Sequence, residues 1–424
     1  MQRVTQVLMV MVLCTVFVAG VFAGGARETA PGPMVWVGWS GSEGASVPVF
    51  EEKINRWNTR NPGDQVEWVG WPWSDTLQQI IIRSQGGERM DIAQLQLGWA
   101  ETVGSMGILA DLDEVIGRDW LEANIPRAAL DAGVINGRQL AVPYTSASIG
   151  MIYNPSLLAA AGVDSPPETL AEFEAALVAL KAYDPDMIPY GMTTADAGSV
   201  AQDLNAWFWT FGGRIIDENG RVVLDSPENV AAVRWFKSLE ERGLITLDMS
   251  RFDARVLFAD EQIAFYDDAI LGRAIGFGNG IPEAEWDSHI MPMMRPIQER
   301  GQAPQSVLWG HQLVVFQNAR NPQMAGEFIK HIIGEETGLY YFQQTGLPPV
   351  TNEAIGSSVV AEDPWTSRWL DISSYGRSHE LLQFENIREL QNILTEEFQA
   401  ALIGSKSAER SIRDAAARMQ DAIE

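Results

Sequence analysis

From Met34 to Leu97 the chain alternates short β-prone runs with helical patterns, and this order constrains the fold more than any other feature. Met34 to Trp39 reads as a strand that runs into a turn-rich loop, Ser40-Gly-Ser-Glu-Gly44. Phe50, Ile54 and Trp57 then recur at helical spacing until Asn61-Pro-Gly63 stops them. Val66 to Gly70 and Asp91 to Leu97 are the next strands. Between them an amphipathic helix through Leu77, Ile80 and Ile81 ends at Gly86-Gly87. Strand, helix, strand, helix implies parallel βαβ units and an α/β fold.

Further along, helix boundaries are well punctuated. Asn154-Pro155, Ser226-Pro227 and Asn321-Pro322 each place an N-cap before proline at the first helical position, and Thr169-Leu-Ala-Glu172 is a capping box. Gly162, Gly243 and Gly334 mark the ends, and the stretch Leu381 to Glu424 reads as helices broken at Gly404. Gly276-Phe-Gly-Asn-Gly280 lacks the third spacing of a dinucleotide fingerprint and runs into Ile281-Pro282, so it reads as a loop.

The N-terminus carries Arg3, an apolar stretch from Val7 to Phe22 and the small-residue exit Val21-Phe22-Ala23. This reads as a secretory signal peptide over residues 1–23, followed by a tether over 24–33. The alternative is a lipoprotein signal anchored through Cys14, the only cysteine. Val12 and Leu13 before it fit a lipobox poorly. Cleavage after Ala23 would leave a mature chain with no disulfide and no thiolate chemistry. The roughly 400 residues beyond it exceed one hydrophobic core, so two lobes are expected.

The formal charge of −26 disfavours nucleic acid and anionic membrane surfaces as partners. The four histidines, His289, His311, His331 and His379, have no ligand spacing, so no metal and no cofactor is expected. His311 reads instead as a neutral hydrogen-bonding partner. No serine nucleophile elbow, P-loop or calcium loop is present.

A set of segments in fixed order then becomes recognisable: Leu109-Ala-Asp-Leu-Asp-Glu-Val115, Asn136-Gly-Arg-Gln-Leu-Ala-Val-Pro143, Met151-Ile-Tyr-Asn-Pro155, Pro166-Pro-Glu-Thr-Leu-Ala-Glu172, Phe211-Gly-Gly213, Gln262-Ile-Ala-Phe265, Ala325-Gly-Glu-Phe-Ile-Lys330 and Thr345-Gly-Leu-Pro348. With these the chain resembles the extracellular solute-binding proteins of ABC sugar importers, the group that includes maltose-binding protein. The resemblance implies a two-lobed α/β fold, each lobe a mostly parallel sheet flanked by helices, hinged by segments that cross near Tyr144 to Ser148, Met294 to Gly301 and Leu347 to Asn352. The first lobe would hold residues 34–144 and 302–346, the second 145–301 and 347–424. It further implies a monomer without catalysis that captures a carbohydrate between the lobes and delivers it to permease subunits coupled to a cytoplasmic ATPase.

Fifteen tryptophans call for explanation, and several stand where strands end. Ligands of open α/β sheets gather at the carboxyl ends of strands. A sugar ring packs its C–H face on an indole, while its hydroxyls need planar donors and acceptors. Trp39, Trp71, Trp73 and Trp99 follow the first three strands, and Trp39, Trp73 and Trp99 are placed in the site; Trp36 and Trp68 lie inside strands and are assigned to the core. Ser42, Glu43 and Gln96 supply polar groups beside them. Gly98 and Trp99 replace an acidic and a basic contact of the maltose-binding pattern, and Ala147 replaces another acid between Ser146 and Ser148. In the second lobe Asp267 and Asp268 are expected after a strand Gln262 to Tyr266, with Asp268 also a candidate N-cap. Trp309 and Gly310 are expected just before a strand Leu313 to Phe316. Trp207, Trp209, Trp365 and Trp369 read as packing. Two rivals remain at this level: a secreted glycosidase, which needs paired carboxylates, and a sensory protein of the same fold.

Overall fold

A computed structural model of the chain describes residues 32–43, 46–384 and 386–424; the signal segment and most of the tether lie outside them. The compact unit is Met34–Glu424. Its strands are β1 (Met34–Gly38), β2 (Val66–Gly70), β3 (Ile92–Gln96), a small hairpin β4 (Val134–Ile135) and β5 (Arg138–Gln139), β6 (Val142–Tyr153), β7 (Tyr190–Gly191), β8 (Phe265–Asp268), β9 (Met291–Met293), β10 (Ser306–Val315) and β11 (Gly376–Arg377). The main sheet runs β2-β1-β3-β10-β6-β8-β7, with β9 on β6 and β11 on β10. Pairing is parallel at both ends, β2-β1-β3 and β8-β7, and antiparallel where β10 and β6 cross between them. The fold is two-lobed and α/β, on a mixed sheet flanked by helices.

The punctuation in the sequence does what its chemistry requires. The Asn154 side chain accepts from Leu157 N–H, Thr169 and Glu172 close a reciprocal capping box, and Ser226 and Asn321 cap helices that start on proline. Each cap satisfies an orphan amide and contributes about 1 kcal/mol. At one end Val37, Ile80, Leu95 and Val103 pack the strands against the helices Trp73–Gln85 and Leu97–Ser105. At the other Phe173, Trp207, Phe236, Phe398 and Met419 fill the space among five helices. Trp207, Trp209, Trp365 and Trp369 are all buried, as packing residues should be.

Four local expectations are corrected. The strand expected over Gln262 to Tyr266 lies at Phe265–Asp268, because the amides of Ala264 and Phe265 both turn to Pro189 O and pairing with β6 begins only at Phe265. β10 starts at Ser306 rather than Leu313: β6 is long enough to carry the ladder through the polar segment Trp309 to Gln312, with a register shift between His311 and Gln312. Gly276 to Gly278 close the helix Gly272–Gly278 instead of forming a loop, and the chain turns only at Gly280, whose φ is +104°. Trp68 is half-buried, and its Nε1 donates to Ser42 Oγ at 3.0 Å, so it braces the loop after β1 as well as the core.

Candidate functional site

The segments that leave the carboxyl ends of β1 and β2 form one wall of a cavity of about 440 Å³. Trp39, Ser42 and Glu43 come from the turn after β1. Gly70, Trp71, Pro72, Trp73 and Ser74 come from the end of β2 and the start of the helix Trp73–Gln85. The opposite wall is Phe252, on the helix Arg251–Ala259 that packs against β7 and β8. Phe252 keeps 61 % of its surface in water, so its ring is presented rather than packed.

Behind this wall the rings are linked. Trp73 lies 5.7 Å from Trp99, Trp99 5.2 Å from Trp39, Trp39 4.8 Å from His311, and His311 4.8 Å from Trp309, all centroid to centroid. Each spacing falls in the range of favourable tilted and edge-to-face pairs. Trp39 is buried, while Trp73, Trp99 and Trp309 are partly open.

His311 is held neutral by geometry and burial together. The amide nitrogen of Gln94 has two protons: one goes to Ser40 Oγ at 2.8 Å, and the other faces His311 Nδ1 at 3.0 Å. Nδ1 is therefore an acceptor, and the ring proton sits on Nε2. Burial moves the His311 pKa down to about 3. Gln94 Oε1 also receives Ser40 N–H at 3.3 Å, which ties β3, the Trp39 turn and β10 into one floor. Gln96 ends β3 opposite His311 in register and is half-buried.

Glu43 stays accessible to solvent, yet the protein around it displaces enough water to raise its carboxyl pKa, against the pull of Arg255 across the cleft. Arg255 itself grips Asp268 with two bonds of 2.7 and 2.8 Å, and Asp268 also receives its neighbour's amide, Ala269 N–H. Asp268 thus anchors Arg255 and the turn after β8. Asp267 is spoken for as well: its carboxylate meets Arg295 at 2.5 Å and accepts the Tyr190 hydroxyl, and both ion partners are fully buried. Neither carboxylate lines the cavity.

Ser146 and Gly310 face each other in the β6–β10 ladder, Ser146 half-buried and Gly310 buried. A Cβ on Gly310 would stand 2.5 Å from Thr145 O and 3.3 Å from Ser146 Cα, so glycine is needed for the two crossing strands to approach. Gly310→Ala is expected to cost about 1–3 kcal/mol, the usual toll of overpacking, seen as a lower urea midpoint. An unchanged midpoint would mean the strands have slack there. At Gly98 a Cβ would lie 2.4 Å from Leu382 Cδ2, the end of a side chain that can turn aside, so glycine is less strictly required there.

Phe252 and Arg255 are site residues that sequence reasoning missed. Nothing local marks them; only the fold brings their helix opposite Trp39. Among the described residues no cluster of three His, Cys, Asp or Glu is placed to hold a metal, and no helix is long and apolar enough to cross a membrane.

A two-lobed α/β sheet with an aromatic-lined cavity at its strand ends, walled by elements from both ends of the sheet, defines a cleft-type binding protein. Residues 41–338 match the family model of the bacterial extracellular solute-binding proteins, and the chain belongs to that family. A Brucella abortus protein described as a binding protein is 22 % identical over 382 residues, covering 89 % of this chain and 90 % of its own. A Deinococcus radiodurans protein described as a "probable ABC transporter-binding protein" is 22 % identical over 287 residues, 65 % of this chain and 67 % of its own. Among solved structures, the maltose-bound MalE3 of T. maritima superposes with a TM-score of 0.80 at 20 % identity, covering 92 % of this chain and 99 % of its own.

Proposed function

We propose that this chain is the exported, monomeric capture subunit of an ABC importer for a sugar, a di- or oligosaccharide that it closes on between its lobes and hands to a membrane permease. The observation that carries the reading is the cavity with Trp39, Trp71 and Trp73 on one wall and Phe252 on the other. Indole faces suit the C–H faces of sugar rings, and an opposed aromatic wall can grip only when the lobes approach. The maltose bound by the T. maritima structure and the transporter named for the D. radiodurans relative agree in kind. Trp39, Ser42, Glu43, Trp73, Gln96, Trp99, Ser146 and Trp309 are the residues assigned to the ligand. Gly310 is assigned to the strand approach beneath it. The lobes are taken to divide at residues 34–144 with 302–346 and 145–301 with 347–424.

A glycosidase needs a pair of carboxylates about 5–10 Å apart, and of the residues lining the cavity only Glu43 carries one. Retention of an oligosaccharide without turnover on long incubation is the expected outcome, and released product would favour the enzyme. Ligand satisfies both walls only in the closed state and so shifts the population toward it. Thermal-shift screening of a sugar panel should find a stabilising ligand, worth about 2.7 kcal/mol at a hundredfold excess over Kd. Small-angle scattering should then show compaction with that sugar. Identical profiles with and without it would overturn the clamp.

A further inference from the structure

We propose that the indole pocket receives a positively charged group of the ligand, an ammonium borne by the sugar or by a substituent on it. The inference rests on the sugar-capture reading and names what one end of that ligand carries. Trp39, Trp71, Trp73 and Phe252 border a single cavity, and aromatic faces attract cations electrostatically. The one charged side chain lining it is Glu43, whose carboxylate has no hydrogen-bond partner among the described residues.

The cations nearby are already engaged. Arg255 is held by Asp268 at 2.7 and 2.8 Å, and Arg83 is paired with Glu88 at 2.5 Å while it covers the Trp71 ring at 5.0 Å. Arg255 is shared with Asp268, so it answers the Glu43 carboxylate only in part, and the pocket keeps a net negative character.

Its remaining polar groups are few. Ser42 Oγ already accepts from Trp68, and the Ser74 hydroxyl donates to Asp75 at 3.2 Å. A sugar ring can lay its C–H face on these indoles, but the side chains lining the cavity offer few partners for a substituent that points at Glu43, and an unmatched hydroxyl there costs desolvation. A quaternary ammonium has no N–H to match and needs only ring faces and one carboxylate, while a primary ammonium gives one proton to that carboxylate and turns the others to ring faces and water.

The test uses tryptophan fluorescence titrations of the full mature chain with two matched pairs: choline against its uncharged isostere 3,3-dimethyl-1-butanol, and glucosamine against glucose. The charged member of each pair should bind about tenfold or more tightly than the neutral one. Glu43→Gln, which keeps the shape, should bring that ratio close to one; its melting temperature serves as the check on folding. Equal affinities within both pairs, or a preference that survives in E43Q, would overturn the assignment. The two readings fail separately. A neutral sugar that compacts the protein, with no charge preference in the titrations, sinks the cation and leaves sugar capture standing. A Glu43-dependent cation preference with no compaction by any sugar supports the cation pocket and removes the sugar.

Discussion

Arg295→Met is expected to destabilise the protein by about 3–5 kcal/mol, the range found when one partner of a buried ion pair is removed. Arg295 and Asp267 are fully buried and meet at 2.5 Å. The guanidinium lies 4.7 Å above the Trp207 ring, and Trp207 Nε1 donates to the Tyr190 hydroxyl at 3.0 Å, which in turn donates to Asp267. A second buried pair, Asp203 with Arg251 at 2.6 Å, lies in electrostatic contact with the first. Without Arg295 the Asp267 carboxylate keeps the Tyr190 hydroxyl and the charge of Arg251, which Asp203 already holds. The double variant Arg295→Met with Asp267→Asn removes the uncompensated charge while Asn still accepts from Tyr190, so it should recover more than half of the loss. Urea denaturation of both variants followed by fluorescence makes the comparison. Equal stability of the two would show that lost packing over Trp207, not charge, sets the cost.

The second large effect is a dependence on acid. His311 titrates near 3 in the folded chain and near 6.5 when unfolded, a depressed value caused by burial. Between those limits the unfolded state binds a proton that the folded state refuses, so stability is present above pH 6.5 and is lost as pH falls. At pH 5 the loss from this one group is about 2 kcal/mol. His379, buried and lowered to about 4, adds a similar dependence of its own. His311→Asn keeps an acceptor opposite Gln94 and does not titrate. The drop in stability from pH 7.5 to pH 5 should therefore be about 2 kcal/mol smaller in the variant than in the parent. A drop of the same size in both would mean that His311 is already protonated in the folded protein, contrary to the Gln94 geometry. Because the same ring touches Trp39 and Trp309, acid should also loosen the aromatic floor of the cleft.

What the sequence made legible follows the range of the interactions involved. Caps at Asn154, Thr169, Ser226 and Asn321 depend on atoms three residues apart, and they stand where the pattern puts them. The tryptophans after the first strands were visible because strand ends can be counted, and Trp39, Trp73, Trp99 and Trp309 lie in one chain of rings through His311. Asp267 and Asp268 looked like free acceptors because their cations are remote or unremarkable in sequence: Arg295 is 28 residues from the first, and Arg255 lies on a separate helix from the second. Phe252 was illegible for the same reason, since an exposed aromatic on a helix acquires meaning only from what stands across from it. The limits of β8 and β10 shifted because a long neighbour, β6, extends pairing into residues that have little strand character by themselves.

Every strand-to-strand bond that joins the two ends of the main sheet passes through β6 and β10, which pair with one another from Val142 to Ile149. Sliding one strand past the other would break that ladder, whereas a change of twist leaves its bonds intact. Within this ladder twisting is thereby the less costly movement. On the proposed capture reading a membrane partner would meet an angle rather than a menu of shapes, and occupancy would become a geometric signal with two settings.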